Sequence, residues 1–188
     1  MSFEKALIDE VNSFRRNPAG YADKLEKAKG YFKDNNIWKH PKSKVAIQTQ
    51  EGPKAFDDAI EFLFRKTTMS APELDPSKGL NKIAHEFLEE FQKDAQANVP
   101  LEPVIKKYGT FSGNFRRFVQ FGGANAEMVV MSLLVSDGEP NRENRESLLL
   151  QDLSKIGVAS GTHEAMRHCS VIVVATKFTN TVDPDDNP

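Results

Sequence analysis

The chain has 188 residues, with 25 basic against 27 acidic side chains and a net charge of −2. That length suits one domain with a real core, and near-neutrality excludes a general electrostatic pull toward nucleic acid or an anionic membrane. A single cysteine, Cys169, excludes an intrachain disulfide and fits a reducing compartment.

Met1-Ser2-Phe3-Glu4 runs directly into an amphipathic helix with no apolar h-region, so the expectation is a cytoplasmic protein without a signal peptide. Ser2, not glycine, follows the initiator Met, which excludes N-myristoylation. No apolar run is long enough to cross a bilayer, so membrane insertion is not expected.

Phe3, Ala6, Leu7, Val11 and Phe14 recur at helical spacing, and Ser2 can cap the helix they define. Asn17-Pro18 restarts the chain as N-cap and first helical residue, with Tyr21, Leu25 and Ala28 as an inner stripe and Gly30 as the stop. Seven lysines then crowd a short stretch, Lys24, Lys27, Lys29, Lys33, Lys39, Lys42 and Lys44, around Trp38. The simple reading is a solvated loop with Trp38 folded back on the core. The functional reading is a basic, aromatic-bearing surface for an acidic protein partner. Nucleic acid is the weaker partner, because no repeat of basic and aromatic residues accompanies the lysines.

Glu51-Gly52-Pro53 opens a third helix with Phe56, Ala59, Ile60 and Leu63 inside. Asp75-Pro76 reads as N-cap and first helical residue of a fourth, whose Leu80, Ile83, Ala84, Phe87, Leu88 and Phe91 give the firmest helical pattern in the chain. A loop with one or two helical turns fits Asn98 to Tyr108, and a strand fits Asn114 to Phe121. Ala126 to Val135 reads as a buried helix ended by Ser136-Asp137-Gly138, followed by a short helical stretch around Leu148-Leu149-Leu150. Two β-rich runs close the chain, Ile156 to Ser160 and Val171 to Phe178, joined by the polar loop Gly161 to Ser170. The unbroken apolar run Val171 to Ala175 requires cover on both faces, so helices should lie above and below this sheet. Residues 1–178 thus form one domain, and 179–188 an acidic tail holding Asp183, Asp185 and Asp186.

Chemistry is sparse. There is no glycine-rich phosphate loop, no paired-cysteine motif, no His-Glu-x-x-His and no Gly-x-Ser-x-Gly. His163 and His168, with Glu164 and Cys169 beside them, could supply metal ligands, but their spacing matches no structural zinc site. Cys169 has no partnered base in the sequence, and no carboxylate pair is singled out. No cofactor is assigned.

One resemblance covers nearly the whole chain. Thr49-Gln50-Glu51-Gly52-Pro53-Lys54-Ala55-Phe56-Asp57-Asp58-Ala59-Ile60-Glu61-Phe62-Leu63 is similar to a signature of microbial and protist members of the CAP superfamily. That superfamily groups the cysteine-rich secretory, antigen 5 and pathogenesis-related 1 proteins. Similar pieces, in the same order, are Val11-Asn12 with Arg16-Asn17-Pro18 and Tyr21-Ala22, Leu74 to Ala84, and Lys107-Tyr108-Gly109. They continue with Ser136-Asp137-Gly138-Glu139-Pro140-Asn141-Arg142 and Ile156 to His163. The resemblance implies an α+β fold, a three-layer α-β-α sandwich around a small, mainly antiparallel sheet. It also implies a central cavity, which in the family carries two histidines and two acidic residues able to hold a divalent metal. Here Asn144 stands where one histidine would be, Arg117 aligns with an acidic residue, and no histidine lies between Phe91 and Phe121 to supply the other. The expectation is therefore a non-catalytic intracellular module that binds a protein partner, with a cytoskeletal surface such as tubulin as one acidic candidate. The alternatives are a metal-dependent or hydrolytic activity, or binding of an apolar ligand such as a sterol or fatty acid.

Overall fold

The strand Arg167–Asn180 (β6) has an apolar centre with no water on either side: Val171, Ile172, Val173, Val174 and Ala175 are each at most 1% exposed. In the computed structural model, which describes residues 1–66 and 69–181, this strand lies inside a four-stranded sheet. Its neighbours are Lys155–His163 (β5) and Gly109–Phe121 (β4), both antiparallel to it. Asp75–Pro76 (β3) adds a short parallel pairing on the far side of β5, giving the order β3-β5-β6-β4.

Successive side chains on a strand point to opposite faces, and here each face meets helices. Ile172 and Val174 join a core with Phe3–Arg16 (α1), Pro18–Lys29 (α2), Pro53–Phe64 (α3) and Ala126–Val135 (α6). Val171, Val173 and Ala175 join a second core with Lys78–Lys93 (α4) and Leu101–Tyr108 (α5). The fold is the expected α+β three-layer α-β-α sandwich. A two-stranded ribbon, Ile37–Trp38 (β1) with Ile47–Gln48 (β2), and the short helix Glu143–Ser147 (α7) complete it.

Local chemistry sets most helix ends. Ser2 Oγ accepts from Lys5 N–H, Asn17 Oδ1 from Gly20 N–H and Asn125 Oδ1 from Met128 N–H, each satisfying a donor that the first turn leaves open. The α4 stripe buries all six expected side chains, from Leu80 to Phe91, at 6% exposure or less. Each large one contributes about 1.5–3 kcal/mol of transfer free energy.

Four expectations require correction. Asp75-Pro76 does not open α4. Asp75 N–H donates to Ser154 O and Ser77 N–H to Ile156 O, so the proline sits in an edge strand where its missing N–H costs no ladder bond. Ser77 is the cap instead. The helical stretch near Leu148 lies earlier, at Glu143–Ser147, with Leu148 to Leu150 packed below it as a turn. Gly161 to Ser170 is mostly strand: β5 and β6 stay paired as far as His163 and Arg167, leaving a three-residue turn. Finally, Thr179 and Asn180 belong to β6, and Asn180 Oδ1 accepts from Gly79 N–H, so the domain reaches beyond residue 178. Asp183, Asp185 and Asp186 lie outside the described residues.

Two buried details tie the layers together. The Arg15 side chain is completely buried, its guanidinium donating to the carbonyls of Pro72 (2.8 Å), Leu148 (2.6 Å) and Leu150 (3.1 Å). Burial pulls its pKa down to about 10. Gly157 on β5 lies against α4, where a Cβ would meet Leu80 C at 2.1 Å and Leu80 O at 2.4 Å.

Gly157→Ala should therefore force helix and sheet apart and cost about 1–3 kcal/mol, read as a lower midpoint in urea unfolding. Arg15→Lys should cost about 3 kcal/mol or more, because an ammonium cannot reach three carbonyls spread over a guanidinium fork. Unchanged midpoints would show that these contacts do not hold the layers.

Candidate functional site

A cleft of about 430 Å³ opens where the β1–β2 ribbon faces the free edge of β4, with α6 as its floor. The apolar part is made by Trp38 and Ile47 of the ribbon, Phe56 of α3, Val119 and Phe121 of β4, and Met128 and Met131 of α6. At the other end Gln50, Gln120, Ser132, Asp137, Glu139 and Asn144 supply the polar groups.

Those polar groups are largely used within the protein. Asp137 accepts from the backbone N–H groups of Gln50 (2.7 Å) and Glu51 (2.9 Å). Glu51 answers in the opposite sense, accepting from Gly138 N–H at 2.8 Å and from Arg142 Nη2 at 2.6 Å. The result is a reciprocal latch between segment 50–51 and segment 137–142. Arg142 also reaches Asp58 and donates to Ser136 O. It adopts a left-handed backbone, φ 53°, which the ion pairs help to hold. The Arg142 guanidinium, with the Gly138 N–H, keeps the Glu51 carboxyl below the usual carboxylate range. Glu139 accepts from Asn144 Nδ2 at 2.9 Å. Gln120 donates to Phe121 O and accepts from Gly123 N–H at 3.1 Å.

Asn144 does stand in the cleft. Arg117 does not, and its reading as a cavity residue is overturned. Phe118 joins the core on the α6 side of the sheet and Phe115 the core on the α4 side, so Arg117, two residues on from Phe115, points to the α4 layer. There its guanidinium lies 4.5 Å from the Phe87 ring centre and 5.1 Å from that of Phe91, and it donates to Val99 O at 2.8 Å. No histidine lines the cleft, and no group of three or more metal-binding side chains occurs among the described residues. Gln120 was not singled out in the sequence; the alternation Phe118-x-Gln120 on a half-buried strand was the signal that could have found it.

His163 and His168 do not converge. His163 pairs with Arg167 and His168 with Thr162, so the two imidazoles leave opposite faces of the hairpin. His163 packs edge-on against Phe121, with its Nδ1 accepting from Met166 N–H, while the His168 side chain is exposed. Cys169 is fully buried among α4 side chains, and burial pushes its thiol up to about 11.

The lysine region divides. Trp38 is only 5% exposed and donates its indole N–H to Ala28 O at 2.8 Å, so it serves the core and the cleft wall, not an outer contact surface. Lys24 pairs with Glu10, Lys29 with Glu26 and Asp57, and Lys42 with Glu127. Lys27, Lys33, Lys39 and Lys44 are exposed and make no ion pair among the described residues.

Comparison with protein-family models gives no match, and comparison with curated proteins gives none either. Among solved structures, an outer surface protein of Borrelia burgdorferi aligns over 63% of this chain and 92% of its own, at 19% identity and a TM-score of 0.44. A cysteine-rich secretory protein of Staphylococcus aureus aligns over 72% of this chain at 16% identity and a TM-score of 0.45. The match spans 44% of that second chain. Similarity of this degree assigns neither a family nor an activity. No helix among the described residues is long and apolar enough to cross a membrane.

Because Glu51 is held below its unfolded pKa, the latch contributes stability above the usual carboxylate range and loses it as pH falls through the folded value. Trp38 lines the same cleft, so its fluorescence should report acid loosening. Glu51→Gln should flatten that acid limb, whereas an unchanged limb would remove Glu51 from the latch. The Cys169 thiol should resist an aromatic disulfide reagent in the native state and react at once in denaturant; rapid native reaction would contradict its burial.

Proposed function

We propose that this chain is a non-catalytic, CAP-like binding module of the cell interior, acting through its surface on an acidic protein partner. The observation that carries this reading is the latch. The carboxylates Asp137, Glu51 and Glu139 are spent on backbone N–H groups, Arg142 and Asn144, and the cleft offers no imidazole for a proton or a metal. A zinc set is ordinarily built on imidazole or thiolate, and neither stands beside these carboxylates in the cleft. The ordered sequence segments shared with the CAP superfamily, Thr49 to Leu63 foremost, support the kinship. The single, inert Cys169 is consistent with a reducing compartment.

The partner face is the set of exposed lysines without internal ion pairs, above all Lys27, Lys33 and Lys39. An acidic cytoskeletal polymer such as tubulin has the complementary charge. A second reading is favoured by the cleft itself: with Trp38, Phe56, Met128 and Met131 along one side, it has the size and lining to take a small apolar ligand.

Co-sedimentation with polymerised tubulin over a salt series tests the partner reading. Bound protein should fall as salt shortens the Debye length from about 14 Å to below about 6 Å. The double variant Lys33→Glu, Lys39→Glu should bind about tenfold less. Binding that is absent, or indifferent to both salt and charge reversal, would overturn it.

A further inference from the structure

Away from the central cleft, the loop 42–45 faces the β5–β6 turn across a second cleft of about 310 Å³. Its lining comes from three separate segments: Lys42, Ser43, Lys44 and Val45; Arg167 and His168; and Ala124, just before α6. Three of these side chains carry fixed positive charge, His168 adds ring nitrogens, and no carboxylate is in the lining. Glu127 lies 3.5 Å from Lys42 Nζ, in a pair whose lysine is 72% exposed and therefore weakly held, and Glu164 stands in the β5–β6 turn, outside the lining. Lys44 and Arg167 have no ion pair among the described residues.

The cradle is held by its own bonds. His40, 4% exposed, accepts from Lys42 N–H at 3.1 Å through Nδ1, and Ser43 N–H donates to His40 O at 2.9 Å. Ser43 Oγ donates to Val45 O and accepts from Val45 N–H, so the loop is a fixed turn. On the other side the His168 backbone is fastened through Gly122 N–H to His168 O at 2.9 Å. Arg167 takes a left-handed φ of 67°, a conformation that glycine or asparagine adopts more cheaply. Ala124 leads into α6, which carries Glu127 in its first turn. Lys44 and Arg167, gathered beside Lys42 without counter-charges of their own, repel one another, and an anion between them removes that cost.

We propose that this cleft binds a phosphoryl group carried on a small soluble ligand. A phosphoryl dianion can take the guanidinium fork of Arg167 and the ammonium groups of Lys42 and Lys44 at once, with three oxygens and two charges against a carboxylate's two oxygens and one. The site shares only Lys42 and Lys44 with the lysine region and does not rest on the protein-partner reading. Its probe contains no protein, so the two fail separately.

The test uses the whole chain, with amide spectra recorded as sodium pyrophosphate is added at low salt. Saturable shifts should be confined to residues 42–45, 124 and 167–168. Lys44→Gln and Arg167→Gly should each weaken the affinity about tenfold. Arg167→Gly suits the left-handed backbone, so the hairpin should keep or gain thermal stability while binding weakens. Absence of saturation, or equal drift at Lys27 and Lys33, would overturn the site. A second arm compares soluble inositol trisphosphate with phosphatidylcholine vesicles containing a phosphatidylinositol phosphate. Binding of the soluble compound, with vesicles no tighter, supports a soluble ligand; tighter vesicle binding that Arg167→Gly abolishes would overturn that source and assign the site to a membrane headgroup.

Discussion

Everything in this molecule answers to the need to cover one strand on both sides. Val171 to Ala175 alternate between two cores, and neither core could form without its own helical layer. The parallel edge strand β3 and the long antiparallel β4 complete the hydrogen bonding on either flank of β5 and β6. Gly157 lets α4 approach closely enough to seal one face. Arg15 fastens the other layer by reaching across to the chain segments before β3 and before β5. A buried guanidinium is costly to desolvate, and three carbonyl acceptors offset that cost only while all three stay in place. The site is thus a coupling point between layers more than a source of net stability.

The same logic explains the central cleft. It lies where the sheet ends at β4 and the β1–β2 ribbon stands off from that edge, so α6 is left partly uncovered. Segments 50–51 and 137–142 would separate there without a clasp, and the nearest carboxylates provide it. Asp137 caps two backbone donors and Glu51 holds Arg142, so both carboxylates have structural partners. Shape and apolar lining make up the rest of the cleft.

Much of the fold was legible because hydrophobic periods are local signals. The α4 stripe from Leu80 to Phe91, the caps Ser2 and Asn17, and the double-sided run in β6 each follow from spacing alone. What the pattern could not carry was pairing. Asp75-Pro76 has the chemistry of a helix start, yet Ser154 and Ile156 recruit its neighbours into an edge ladder. The polar residues of 161–170 look like loop, yet they pair because the β5–β6 register, once set by the apolar centre, continues outward. At the site, Asn144 lines the cleft whereas Arg117 does not, and one residue of slip on a strand exchanges its faces. The basic cradle of Lys42, Lys44, Arg167 and His168 had no local signature at all, being assembled from segments more than a hundred residues apart.

The account stands on the claim that the cleft's carboxylates serve structure and leave no reactive or metal-holding set. Calorimetric titration of the purified chain with zinc, in a buffer that does not chelate it, addresses that claim most directly. No saturable heat at a stoichiometric ratio is the result the account predicts. One zinc bound per chain, with the heat abolished by Glu139→Gln together with Asn144→Ala, would contradict it.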